Sequence, residues 1–105
     1  MIRHNLWPRI WRRRKKLLDS RMKITFKLFA TLQDYLPPEG RKMNALMLDI
    51  DPETTIQQLI ERFALPPKLC HLVLIDGQFI PPGERAARSL RDGETLAIWP
   101  PVAGG

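Results

Sequence analysis

At 105 residues the chain suffices for one domain with a modest core, and its single cysteine, Cys70, excludes an internal disulfide. No His/Cys cluster argues for a metal, and no apolar run approaches the ~20 residues needed to cross a bilayer. The net charge of +6 is unevenly spread: eight of seventeen bases and one of eleven acids fall in residues 1–21, leaving nine bases and ten acids beyond.

Residues 1–21 therefore read as a basic N-terminal extension on a near-neutral domain at 22–105. A specific nucleic-acid function inferred from overall charge would rest on this leader alone. Only Leu17-Leu18 follows the Arg12–Lys16 run, too short for the apolar stretch of a secretory signal. Ile2, Leu6 and Ile10 recur at helical spacing, as do Trp7, Trp11 and Leu18, a pattern open to a basic amphipathic helix on an anionic membrane. Pro8 interrupts it. The basic run is also suited to non-specific phosphate contact. The favoured expectation is a disordered tail or a gene-start artefact, because Met22 opens a well-formed strand pattern and charge runs are usually solvated.

From Met22 to Phe29 the chain alternates, with Ile24, Phe26 and Leu28 on one face and Thr25, Lys27 and Phe29 on the other, the mark of a half-buried strand. A short helical turn is expected over 30–35, ended by Pro37-Pro38, and residues 39–42 read as a polar loop. Leu46, Leu48 and Ile50 align on one face of a second strand, antiparallel to the first. The period then changes. Thr54 as N-cap with Gln57 completing a capping box starts an amphipathic helix carrying Ile56, Leu59, Ile60 and Phe63, which Pro66-Pro67 stops. Leu72 to Ile75 and Gln78 to Ile80 form a hairpin around the Asp76-Gly77 turn. One helical turn is expected over 86–90, and a last strand runs from Glu94 to Trp99 after Asp92-Gly93. The order β-β-α-β-β-β predicts an α+β fold, a mixed sheet with one main helix across one face.

After the last strand come Pro100-Pro101, Val102, Ala103 and the pair Gly104-Gly105. The prolines fix φ and are expected to hold the tail off the domain. Two glycines without Cβ can thread a narrow site in another protein and present a bare carboxylate, that of Gly105. A frayed, functionless end is the competing reading.

Several tempting constellations are set aside. Cys70 and His71 are adjacent and point to opposite faces if in a strand, so they make no nucleophile–base pair, and Cys70 reads as a small buried residue. Asp49 and Asp51 fall on one face, yet loop solvation and the helix that follows explain them. Arg85, Arg88 and Arg91 read as solvated loop charges.

Taken together, residues 22–105 resemble the ubiquitin-like β-grasp sulfur carriers of the MoaD/ThiS type. The segments that carry the resemblance are KLFATLQDYLPP, the helix after Pro52-Glu53-Thr54-Thr55, HLVLIDGQFI and LRDGETLAIWPPVAGG. The last joins turn, strand, prolines and glycine pair in one register. Two departures are Trp99, where the family more usually has Phe, and the leader, which has no counterpart. The length beyond Met22 looks closer to the molybdopterin-type carriers, the small subunits of molybdopterin synthases, than to the shorter thiamine-type ones.

The resemblance implies a cytoplasmic carrier that is not an enzyme and binds no cofactor or metal itself. An E1-like adenylyltransferase (MoeB/ThiF-like) would use ATP to activate the Gly105 carboxylate, with Gly104 giving access. A persulfide donor would convert it to a thiocarboxylate. A MoaE-like synthase subunit or another acceptor would take the sulfur, most readily in molybdenum or tungsten cofactor assembly. Phe29, Phe79 and Trp99 are expected outward on the sheet as docking anchors, continued by Pro100, Pro101 and Val102. Alternatives are a ThiS-like carrier for thiamine or another sulfur metabolite, a ubiquitin-like modifier that joins Gly105 to lysines, and an adaptor worked by residues 1–21.

Overall fold

The computed structural model describes residues 21–101, and within them five strands form one mixed sheet. β1 (Met22–Leu28), β2 (Ala45–Ile50), β3 (Leu72–Ile75), β4 (Gln78–Phe79) and β5 (Thr95–Trp99) lie in the order β2-β1-β5-β3-β4. β1 pairs antiparallel with β2 and parallel with β5, while β3 is antiparallel to both β5 and β4. The parallel β1–β5 pair requires a crossover, which the intervening chain supplies. This is the mixed sheet with a helix across one face that the β-grasp resemblance implies. The expectations for residues 1–20 and 102–105 lie outside the described residues.

Alternation along the strands sets the core. Ile24, Phe26, Leu28, Leu48, Ile50, Val73, Ile75, Leu96 and Ile98 are buried in one cluster with Ile56, Leu59 and Ile60 of the main helix. Phe63 packs against that cluster, its ring centroid 4.7 Å from that of Phe26. The apolar stripe of the helix and the inner sheet face thus cover each other, the main source of stability in a domain of this size.

The connection from β1 to β2 is more structured than a polar loop. The helical turn expected over 30–35 is a 3-10 turn at Ala30–Tyr35, which buries Leu32, and a short helix α1 (Pro38–Arg41) replaces the predicted loop. Gly40 is buried there because a Cβ would sit 2.9 Å from the carbonyl oxygen of Ala45. The approach is set by β2, so local sequence alone does not announce it.

The main helix α2 spans Ile56–Arg62, and its capping box is one residue later than expected. Thr55 Oγ1 accepts from the Gln58 N–H at 3.2 Å, and Gln58 Oε1 accepts from the Thr55 N–H at 3.0 Å. Thr54 is occupied elsewhere: its hydroxyl donates to the Asp51 carbonyl at 2.6 Å. The helix also ends before Pro66. Ala64 adopts φ 55°, its N–H donating to the Glu61 carbonyl at 3.0 Å and that of Leu65 to the Ile60 carbonyl at 2.9 Å. These paired bonds close the helix in the manner usually reserved for glycine.

Further along, Asp76 and Gly77 take positive φ, as a tight hairpin turn requires. The 3-10 turn after β4 lies at Pro82–Glu84, earlier than the expected 86–90, because Pro82 sits at its first position with φ already suited. Residues 85–90 instead run beside the start of the main helix: Ile56 N–H donates to Arg88 O, Gln57 N–H to Arg85 O and Leu90 N–H to Thr54 O.

Candidate functional site

The outer sheet face is built by the residues that alternate with the core. Leu96 and Ile98 are fully buried, so Ala97 and Trp99 face the other way. Phe29 follows the buried Leu28, and its ring lies flat against Trp99 with centroids 3.9 Å apart and planes 7° from parallel. That stack half-covers Phe29, while Trp99 remains 37% exposed. Phe79 is 52% exposed. All three aromatics expected on this face are on it, two as a stacked pair and one apart.

Register fills the space between them. Phe79 is opposite Leu74, Leu74 opposite Ala97, and Ala97 opposite Lys27, so one row crosses four strands. Leu72 is opposite Trp99 in the next row. Met47 stands opposite Thr25, 60% exposed, with its Sδ accepting from the Thr25 hydroxyl at 3.3 Å. Leu72, Leu74 and Met47 were not singled out from sequence, although their period-two phase carried the signal. The outcome is a largely apolar face of aliphatic and aromatic side chains, broken by Lys27. Contiguous exposed apolar surfaces of this kind commonly mark contact with another molecule.

At the end of β5 the strand hands over to the tail. The Ile98 carbonyl accepts from the Phe29 N–H at 3.2 Å, and the Trp99 carbonyl accepts from the His71 N–H at 3.1 Å. Pro100 is buried and Pro101 is exposed. Pro100 therefore belongs to the body of the domain, which corrects its expected role as a surface contact, and Pro101, the last described residue, is exposed. Val102, Gly104 and Gly105 lie outside the described residues.

Below this handover sits the largest departure from the sequence reading. Arg85, expected as a solvated loop charge, is only 6% exposed. Its guanidinium donates to three main-chain carbonyls, Cys70 at 2.7 Å, Ile80 at 3.2 Å and His71 at 3.2 Å. Burial lowers its pKa from the ordinary arginine value, with the nearby Cys70 acting against that shift. Arg88 is partly buried as well, paired with Glu94 at 2.8 Å and bonded to the Ser89 carbonyl. The Cys70 and His71 carbonyls lie 15 and 14 residues before Arg85, so no local pattern reveals its burial.

The remaining candidates carry no chemistry. Cys70 is buried and His71 is exposed, and Cys70 Sγ lies 3.5 Å from the Pro66 carbonyl oxygen, not against the imidazole. Burial pushes the Cys70 thiol up from its usual pKa, with the Arg85 charge partly opposing. Asp49 and Asp51 are exposed and face Lys23 at 3.8 Å and Arg21 at 3.7 Å, loose surface pairs of little energetic weight. Among the described residues no group of His, Cys, Asp and Glu is placed to hold a metal ion, and no helix is long and apolar enough to cross a membrane.

A family model described as the ThiS family matches residues 26–105. No curated protein matches the chain. Among solved structures it is similar to the Haloferax volcanii HVO 2177 protein, at 22% identity and a TM-score of 0.62, covering 82% of this chain and 89% of that one. It is also similar to SAMP1 from Haloferax volcanii, at 24% identity and a TM-score of 0.54, covering 79% of this chain and 99% of that one. The small archaeal modifier protein 1 (SAMP1) of Methanosarcina acetivorans matches at 24% identity and a TM-score of 0.53, over 81% and 98% of the two chains. These structural likenesses establish a β-grasp, ubiquitin-like fold.

Proposed function

The chain belongs to the ThiS family, and on that ground we propose that it is a sulfur carrier whose working group is the Gly105 carboxylate. The observation that carries this reading is the position of Trp99, where β5 ends. It closes the middle strand of the sheet on an apolar face shared with Phe29, Leu72, Leu74 and Phe79, so docking of that face brings the chain's last residues with it.

The chemistry falls to partners. A carboxylate is a poor electrophile. An E1-like adenylating enzyme brings its oxygen to the α-phosphorus of ATP, pyrophosphate leaves, and the mixed anhydride with AMP is activated. The outer sulfur of a donor persulfide attacks the glycyl carbonyl and AMP departs. A thiol then cleaves the sulfur–sulfur bond, leaving the thiocarboxylate on Gly105 and a disulfide on the donor side. The chain supplies orientation: a docked face and a short tether raise the effective concentration of the carbonyl in the partner's site. Trp99 and Phe79 serve as anchors, and Pro101 and Val102 continue the partner contact. Such a cycle suits the cytoplasm, where thiols and persulfides persist.

The acceptor proposed first is a pterin precursor held by a larger synthase subunit, as in molybdenum or tungsten cofactor assembly. The long β1–β2 connection, with its 3-10 turn and α1, supports that choice over the thiamine-type carriers. A second reading is that lysine amines attack the same activated glycine, making this a protein modifier, and two of the structural neighbours are themselves named as modifier proteins. Intact-mass analysis after incubation with an E1-like enzyme, ATP and a persulfide donor separates the two. Exchange of one oxygen for sulfur at Gly105 is the expected result. Isopeptide Gly-Gly remnants on other proteins, with no sulfur gained, would replace the carrier by the modifier.

A further inference from the structure

Arg85 is a buried cation whose guanidinium makes no ion pair among the described residues. Such a charge is costly to bury, and among the described residues its donors are met by the carbonyls of Ile80, Cys70 and His71. The arrangement holds only while all three acceptors stay in place. Its own carbonyl accepts from Gln57 N–H at 3.0 Å, which ties the same residue to the start of the main helix.

The position of the clamped segment gives this function. Leu72 is the register partner of Trp99, so His71 comes beside Pro100, which has no N–H to offer across the sheet. The His71 N–H instead donates to the Trp99 carbonyl at 3.1 Å, the last carbonyl of β5 before the tail. One peptide neighbourhood is thus held from both sides: the His71 carbonyl by Arg85, the His71 N–H by Trp99.

We propose that Arg85 is a positioning residue for the tail, fixing through His71 the direction in which the chain leaves the domain after Pro100. The inference rests on the reading of Gly105 as the activated group. A tail delivered in extended form would carry that carboxylate about 16 Å beyond Pro100, so a small rotation at the root displaces it by ångströms. Displacement of about 1 Å can cost on the order of a hundredfold in rate. Among the described residues the Arg85 guanidinium bonds to main-chain carbonyls and to no side chain of the docking face, so its effect belongs in turnover.

The test uses the full chain with Arg85→Met and Arg85→Lys. Amide hydrogen exchange is followed at His71, at Phe29, which donates to Ile98, and at Phe63, which donates to Leu59. ATP-dependent adenylate formation with an E1-like enzyme is resolved into KM and kcat. In Arg85→Met, exchange at His71 should rise about tenfold or more while Phe29 and Phe63 stay protected. kcat should fall about tenfold at nearly constant KM. Arg85→Lys should recover part of both. Unchanged exchange at His71 in folded Arg85→Met overturns the proposal. Equal loss of protection at all three amides in both variants also overturns it, since Arg85 would then be a general stabiliser. If the wild-type chain forms no adenylate, the reading of Gly105 fails by itself, and exchange at His71 still decides whether Arg85 holds the root of the tail.

Discussion

The two faces of the sheet come from the same strands, one residue out of step. On the inner face Ile24, Phe26, Leu28, Leu96 and Ile98 have no exposed surface. On the outer face Thr25, Lys27, Phe29, Ala97 and Trp99 all keep some. Both faces carry large apolar side chains, so hydrophobicity alone does not distinguish them. What differs is the partner: the inner face has the main helix, while Trp99 and Phe79 on the outer face remain exposed. The same burial energy that closes the core is left unused outside, ready for association.

The strongest way to break this contrast is from inside. Phe26→Ala should cost about 3–5 kcal/mol, enough to unfold much of the population, and denaturant titration would show it. Partner binding would then fall only in proportion to the unfolded fraction. Trp99→Ala is the converse. It should weaken binding to an activating partner by about 2 kcal/mol or more in calorimetry, while losing only ~1 kcal/mol of stability with the Phe29 stack. A Trp99→Ala chain that unfolds would place the ring in the core and erase the contrast. Thr55→Ala lies on neither face and should cost about 1 kcal/mol through loss of its cap, with binding unaltered.

The smallest effect concerns Cys70. Its thiol pKa is raised in the folded chain by burial, so above the ordinary value of 9.0 the unfolded chain gives up its proton first. Stability from this group is therefore full below that pH and declines as pH rises through it. Cys70→Ala should flatten the alkaline limb of a thermal-melt series, and alkylation of native Cys70 near neutral pH should be slow. An alkaline limb identical in the variant would assign the decline to other groups.

The strands were legible because each has one buried face, which writes a period of two into the sequence. The cap was legible in kind but not in place. Thr54-Thr55 and Gln57-Gln58 satisfy the same spacing twice, and only the Asp51 carbonyl, which takes the Thr54 hydroxyl, breaks the tie. α1 was hidden because Pro38 and Gly40 read as a loop, whereas Gly40 is there to let Ala45 approach. The site shows the same division. Outward aromatics follow from phase, but their assembly needs the β3–β5 register, and the burial of Arg85 and Pro100 depends on segments distant in sequence. Long-range contacts are where local pattern stops informing.

The central position of β5 has a mechanical consequence. It is held on one side by β1, running parallel, and on the other by β3. A pull on the tail along the strand loads both ladders in shear, so their bonds resist together instead of parting one after another as at an edge. A partner that threads and grips the last residues can therefore draw them taut against a firm anchorage. An edge strand such as β4, two residues long and paired on one side only, would peel under the same tension.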